Sequence, residues 1–236
     1  MSQPTPLPDL SLVYVARPPA LKGQHTRPPL LVLLHGVGSH ERDLFQLAPQ
    51  LDARFQIVSV RAPLVRGPDG FAWFNVEFTP EGPAVAPDQL DASRKRLLAF
   101  LGEAVEAFGC DAARVYLFGF SQGAIMALTL ALTAPRTLAG VAAIAGRVPP
   151  EVLPWMVPPD QTTGLPVLLE HGRTDAVVPI DWAHKARTIL LRQRVALTYC
   201  EHDTGHRITP AMLTDATAWL DERLGEEPWT KVPQVE

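Results

Sequence analysis

The sequence predicts an α/β fold: a mostly parallel central sheet with helices on both faces and no large cap domain. Three observations carry this. Short apolar runs alternate with longer helix-forming runs, the pattern of parallel strands joined by crossover helices. The run LLVLL, which opens segment 30–35, is apolar throughout, as a strand buried on both faces must be. The segment AIMALTLAL at 124–132 is apolar almost all round, which suits a helix in the middle of the molecule.

Taken in order, LSLVYVA (10–16) reads as a first strand at a sheet edge, LLVLLH (30–35) as a buried strand and FQIVSV (55–60) as a third. RVYLFGF (114–120), GVAAIAG (140–146), PVLLEHG (166–172) and VALTYC (195–200) continue the series. Helices are predicted over 43–52, 88–108, 122–134, 181–192 and 210–224. In the second of these, Leu90, Leu97, Leu98, Leu101, Val105 and Phe108 recur mostly at helical spacing and form one apolar face. The proline-rich stretch RVPPEVLPWMVPP (147–159) reads as a stiff loop.

A chain of 236 residues that is 47% hydrophobic can bury one sizeable core. With no repeat and no second composition regime, a single domain is expected over 1–236, with its core at about 10–224 and a tail at 225–236. The net charge of -4 and the lack of a basic stripe argue against a nucleic-acid partner. No apolar stretch is long enough for membrane insertion. The N-terminus MSQPTPLPDLSLVYV lacks the positive start and long apolar run of a signal peptide, so a cytoplasmic protein is expected. Cys110 and Cys200 read as reduced thiols, and no cysteine or histidine spacing suggests a metal site.

Ligands of an open α/β sheet bind beyond the carboxyl ends of its strands, and the chain's unusual residues gather there. Gly119-Phe120-Ser121-Gln122-Gly123 fits a G-x-S-x-G turn between strand and helix. Such a turn crowds the serine's neighbours, and glycines two residues before and after relieve the crowding. The serine then stands at a helix N-terminus, where developing negative charge is favoured. A serine nucleophile needs a base, and the base needs an orienting acid. In chain order after Ser121, the histidines are His171, His184, His202 and His206. His184 falls in a predicted helix and His171 ends a strand. His206 is preferred to His202 because Gly205 provides a turn that can aim its ring over the sheet. Asp175, directly after the sixth predicted strand, is preferred as the acid to Asp203 and to Asp181, which reads as a helix N-cap. Backbone N–H donors for an oxyanion are expected from Gln122 and from Val37 in the glycine-containing loop HGVGS (35–39).

With these segments in place, the chain resembles the phospholipase/carboxylesterase family of α/β-hydrolases, which includes acyl-protein thioesterases and small bacterial carboxylesterases. The resemblance runs from about 30 to 222 and rests on LVLLHGVGS, RAP…WF (61–74), RVYLFGFSQGAIMAL, LLEHGRTDAVVPI and GHRI. It implies Ser121 as nucleophile, Asp175 as acid, His206 as base, and Val37 and Gln122 as oxyanion donors. It implies a small-molecule ester or thioester substrate and no cofactor or metal, and it is compatible with a homodimer. Ala124 stands where relatives often have a second glycine, and the early loop lacks their aspartate after its second glycine. The family has an aromatic pair beside the active site, so Trp73 and Phe74 are expected to wall the acyl pocket. Val177 and Trp155, with Met156, are further pocket candidates.

Overall fold

The computed structural model describes residues 7–21, 26–79 and 82–225. Its strands are β1 (Tyr14–Arg17), β2 (Leu30–Leu34), β3 (Gln56–Val60), β4 (Leu64–Val65), β5 (Phe71–Ala72), β6 (Val76–Thr79), β7 (Gly82–Val85), β8 (Val115–Phe120), β9 (Gly140–Ile144), β10 (Pro166–Gly172) and β11 (Ala196–His202). The helices are α1 (Pro87–Ala107), α2 (Gln122–Thr133), α3 (Ile180–Arg192) and α4 (Pro210–Gly225). Seven strands form one sheet in the order β1-β3-β2-β8-β9-β10-β11. Only β1 runs antiparallel, on the edge beside β3. The remaining pairings are parallel.

The apolar runs form the central strands because both sheet faces are covered. Val32, Leu34, Val58 and Leu117 pack with residues of α1, α2 and α3 such as Leu97, Phe100, Leu128 and Leu190. Leu31, Leu33, Ile57 and Phe118 pack on the other face with Met212, Trp219 and Leu220 of α4. Gln122 to Leu132 of α2 are all buried, as their unbroken apolar pattern requires. Pro87 opens α1, where its missing N–H costs nothing.

Several elements differ from the sequence expectation. The segment predicted as a helix over 43–52 forms a 3-10 helix at Leu44–Gln50, with Pro49 inside it. β1 is shorter than 10–16 and shifted toward its C-terminal end, and Pro18 and Pro19 follow it directly. Two hairpins, β4–β5 and β6–β7, were not anticipated. Strands of two residues carry no periodicity, but the first hairpin has a turn signal in GPDG (67–70), closed by the Arg66 N–H donating to the Gly70 carbonyl at 2.7 Å. The proline-rich loop winds into short 3-10 helices at Pro150–Trp155 and Pro159–Gln161. Gly225, expected in a tail, is the last residue of α4, and 226–236 lie outside the described residues. No helix among the described residues is long and apolar enough to cross a membrane.

The strand order positions the site. β2 has β3 on one side and β8 on the other, so the chain reverses its direction of winding there. The loops leaving β2 and β8 diverge at this point and open a crevice beyond the strand ends.

Candidate active site

Ser121 occupies the turn between β8 and α2 with φ 54° and ψ -117°, a left-handed backbone that side-chain-bearing residues rarely adopt. The flanking glycines are required by contact. A Cβ on Gly119 would lie 2.5 Å from the Gly123 carbonyl carbon, and one on Gly123 would lie 1.8 Å from the Leu34 carbonyl oxygen. The turn therefore packs backbone on backbone, against the end of β2. Ala124, at the position of the second family glycine, is accommodated by Gly146, whose own Cβ would come within 2.6 Å of the Ala124 methyl.

The Ser121 hydroxyl donates to His206 Nε2 at 2.9 Å, and His206 Nδ1–H donates to Asp175 Oδ2 at 2.7 Å. Asp175 Oδ1 accepts the N–H groups of Val177 and Val178 at 2.9 and 2.8 Å. These two bonds leave Oδ2 facing the imidazole, and because a carboxylate only accepts, they also set the imidazole tautomer. The ring of His206 lies 5.0 Å from that of Phe120, tilted by 39°.

Gly205 is not the glycine that brings His206 into place. A side chain there would meet nothing closer than 3.7 Å, whereas a Cβ on Gly172, at the end of β10, would strike the Thr204 and Gly205 carbonyl oxygens at 2.4 and 2.6 Å. The histidine loop crosses directly over Gly172. It is held there by the N–H groups of Arg173 and Thr174 donating to the carbonyls of His202 and Thr204.

The other histidines and acids have separate partners. His171 is fully buried, donates Nε2–H to the Val178 carbonyl at 2.7 Å, and lies 3.5 Å from Asp175 Oδ2. Burial lowers its pKa, so it backs the acid loop as a neutral ring. His184 contacts Glu201 at 2.9 Å. Asp203 pairs with Arg173 in solvent. Asp181 is not the N-cap of α3: Pro179 holds that place, and Asp181 lies in the first turn, where its charge suits the helix dipole.

His202 donates to Glu170 at 3.3 Å and lies 3.7 Å from Asp215. Burial, aided by the Asp215 charge, pushes the Glu170 carboxyl up to about 8. A carboxyl whose folded pKa exceeds its unfolded value contributes stability that is complete below the unfolded pKa and is lost as pH rises through the folded one. Glu170→Gln is therefore expected to melt on the order of 5 °C above wild type at pH 9, with the gain shrinking toward pH 5. Melting curves across that range check this. An equal shift at every pH would refute the assignment.

The HGVGS loop is pinned beside Ser121. The Gly38 N–H donates to the Phe71 carbonyl and the Phe71 N–H to the Ser39 carbonyl, both at 2.8 Å. A Cβ on Gly36 would sit 3.3 Å from that of Ser121. Gln122 is the first residue of α2, so its N–H has no acceptor within the helix.

The Gln122 side chain does separate work. Its Oε1 accepts the Trp73 N–H at 2.9 Å, and its Nε2 donates to the Phe74 carbonyl at 2.7 Å. The glutamine thus ties the loop bearing the aromatic pair to the head of α2. Gln122→Leu would leave a buried N–H and a buried carbonyl without partners. It is expected to cost about 2–4 kcal/mol, measured by denaturant unfolding.

A cavity of about 170 Å³ opens at Ser121. Val37, Gln122, Phe74 and Val177 line it, but Trp73 and Trp155 do not, which corrects the expectation for both. Trp73 is wholly buried as a plug, with its indole N–H on the His35 carbonyl at 3.0 Å and its carbonyl accepting Ser93 Oγ–H at 2.5 Å. Trp155 packs on the core near Arg94, and Met156 packs there too, outside the lining. Sequence reasoning missed Trp182 as a wall residue. It directly follows the acid loop, in PIDW, and an aromatic in the first turn of a helix after that loop was the available signal. It also missed Ile125, Val178, Arg66 and Arg147.

Comparison with known proteins bears on the family and the fold. The chain is 30% identical to acyl-protein thioesterase 1 of Eremothecium gossypii over 161 residues, 66% of this chain and 67% of that one. It is 28% identical to a carboxylesterase of Arabidopsis thaliana over 159 residues, 65% of this chain and 68% of the other. The crystal structure of the Bacillus cereus carboxylesterase superposes with a TM-score of 0.77 over 90% of this chain and 94% of its own, at 24% identity, and so shares the fold. The phospholipase/carboxylesterase family model matches residues 20–224. With the sheet, the serine turn and the family match over most of its length, the chain belongs to the phospholipase/carboxylesterase family of α/β-hydrolases.

Proposed function

We infer that the protein is a carboxylesterase acting by a serine acyl-enzyme mechanism. The observation that carries this reading is the unbroken hydrogen-bond chain from Ser121 through His206 to Asp175 at the head of α2. His206 Nε2 takes the Ser121 proton as Oγ attacks the ester carbonyl. Asp175 holds the imidazole in the tautomer that can accept that proton and stabilises the imidazolium. The oxyanion forms beside the Val37 and Gln122 N–H groups, which do not need to reorganise during the reaction. His206 then gives its proton to the departing alkoxide. Water attacks the acyl-enzyme by the reverse proton route, releasing the acid and restoring Ser121.

The cavity is small beside ordinary ligand pockets of about 300–1,000 Å³, which favours short acyl chains. A thioester substrate fits the same groups, and the thioesterase relative supports it as a second reading. The test is steady-state hydrolysis of p-nitrophenyl esters from acetate to palmitate, alongside acyl-coenzyme A thioesters. Wild type is expected to be most active on the short esters, and Ser121→Ala to be inactive throughout. A long-chain optimum would overturn the short-chain reading. Equal activity in Ser121→Ala would remove Ser121 as nucleophile. Failure of wild type both to turn over an ester and to react with a fluorophosphonate probe would favour a non-catalytic binding protein.

A further inference from the structure

The cavity beside Ser121 holds a feature that ester hydrolysis does not need. Its walls are mostly apolar, yet among the described lining residues the two ionised side chains are both cations, Arg66 and Arg147. They arrive from separate parts of the fold. Arg66 comes from the β4–β5 hairpin and is exposed at the rim, where it reaches Asn75 Oδ1 at 3.5 Å. Arg147 follows β9 and is only 3% exposed. Its guanidinium lies 4.6 Å from the centroid of the Trp182 ring, which lines the same cavity. Burial lowers the Arg147 pKa, and the charge of Glu151, which is outside the lining and accepts the Val85 N–H at 2.9 Å, offsets part of that.

We propose that this cavity selects esters bearing a carboxylate on the acyl chain, that is, half-esters of short dicarboxylic acids, with Arg147 as the group that reads the distal carboxylate and Arg66 adding attraction at the entrance. The proposal rests on the esterase reading above and names its substrate class. A methyl group placed against a buried guanidinium gains little and strips water from a charge. A carboxylate there makes charge-assisted hydrogen bonds in the planar geometry that guanidinium matches. The same residue therefore favours the anionic acyl chain and disfavours the neutral one. Stacking on Trp182 restrains the guanidinium before substrate arrives and lowers the ordering cost of binding. The small cavity also favours a carboxylate only a few methylenes from the ester carbonyl.

The experiment compares monoethyl glutarate with ethyl valerate, in which a methyl stands where the glutarate carries its second carboxylate. Turnover is followed by the acid released at constant pH. The readout is the ratio of the two kcat/KM values, so a general loss of active enzyme divides out. Wild type is expected to prefer the anionic ester by about tenfold or more, and the preference should shrink as salt is added. Arg147→Met should bring the ratio close to one. Arg147→Lys, which keeps the charge but not the planar fork, should fall between. If Arg147→Met does not fold, Arg66→Gln at the exposed rim provides the second variant, and it should lower the ratio without abolishing it. Turnover of ethyl valerate with a wild-type ratio at or below one overturns the proposal and leaves the esterase reading intact. A ratio that responds neither to salt nor to either arginine also overturns it. Turnover of neither these esters nor p-nitrophenyl esters removes the esterase reading, and the proposal with it.

Discussion

Asparagine in place of Asp175 is expected to lower kcat/KM for ester hydrolysis by about 10⁴-fold while leaving the fold unchanged. The reason lies in how Asp175 is held. One carboxylate oxygen accepts the Val177 and Val178 N–H groups, and the other accepts His206 Nδ1–H. An asparagine must keep its carbonyl oxygen toward the two backbone donors, because turning its amide toward them would set donor against donor. Its NH₂ then faces His206 Nδ1 and can bond only if that nitrogen accepts. The proton moves to Nε2, which then cannot take the Ser121 proton. The fully buried His171, 3.5 Å from Asp175 Oδ2, stays neutral and cannot replace the acid. Steady-state rates and fluorophosphonate labelling should fall together, with wild-type melting temperature retained. A variant with near-normal rates would refute Asp175 as the orienting acid. Combining Asp175→Asn with Ser121→Ala should cost little beyond the serine change alone, because the residues act as one unit.

The largest effect on stability is expected from Gly123→Ala. Its added methyl carbon would sit 1.8 Å from the Leu34 carbonyl oxygen, 2.4 Å from its carbon and 2.8 Å from the His35 carbonyl oxygen. All three are backbone atoms at the end of β2, a strand paired on both sides, by β3 and β8. Relief would require α2 to move off the sheet, and α2 is buried along nearly its whole length. The variant should lose more than about 4 kcal/mol or fail to accumulate as folded protein. Gly102→Ala is the control. Gly102 lies within α1, its Cβ would meet nothing within 4 Å, and alanine there should be neutral or stabilise by up to about 1 kcal/mol. Denaturant unfolding of the pair checks both. Equal stabilities would show that the turn can relax, and that the glycine motif is not enforced by packing.

The glycines of GFSQG and Gly172 show what can and cannot be read before folding. The GFSQG turn was legible because part of its crowding is local: a Cβ on Gly119 would meet the Gly123 backbone within the same turn, although Gly123 itself presses on the distant Leu34 carbonyl. Gly172 carries a comparable constraint, but its partners are the carbonyls of Thr204 and Gly205, more than thirty positions away. Nothing local to Gly172 announces that contact, and the sequence points instead to Gly205, adjacent to the histidine. The aromatic pair failed for a similar reason. Trp73 and Phe74 are neighbours in sequence, yet one is a buried plug and the other lines the cavity. The chain bends at both residues, past the end of β5, and the Gln122 side chain holds their backbone in that bend.

The sequence alone determined the α/β architecture, the approximate span of each core strand and of the four α-helices, and the order serine, acid, histidine along the chain. These follow from hydrophobic periodicity and local backbone chemistry, which act over a few residues. The tertiary structure decided the strand order with its reversal at β2, and the contact between Gly172 and the histidine loop. It also decided which aromatic faces the cavity, and the convergence of Arg66, Arg147 and Trp182 on one small space. Those depend on which distant segments meet, and that is set by how the whole apolar surface closes over the sheet.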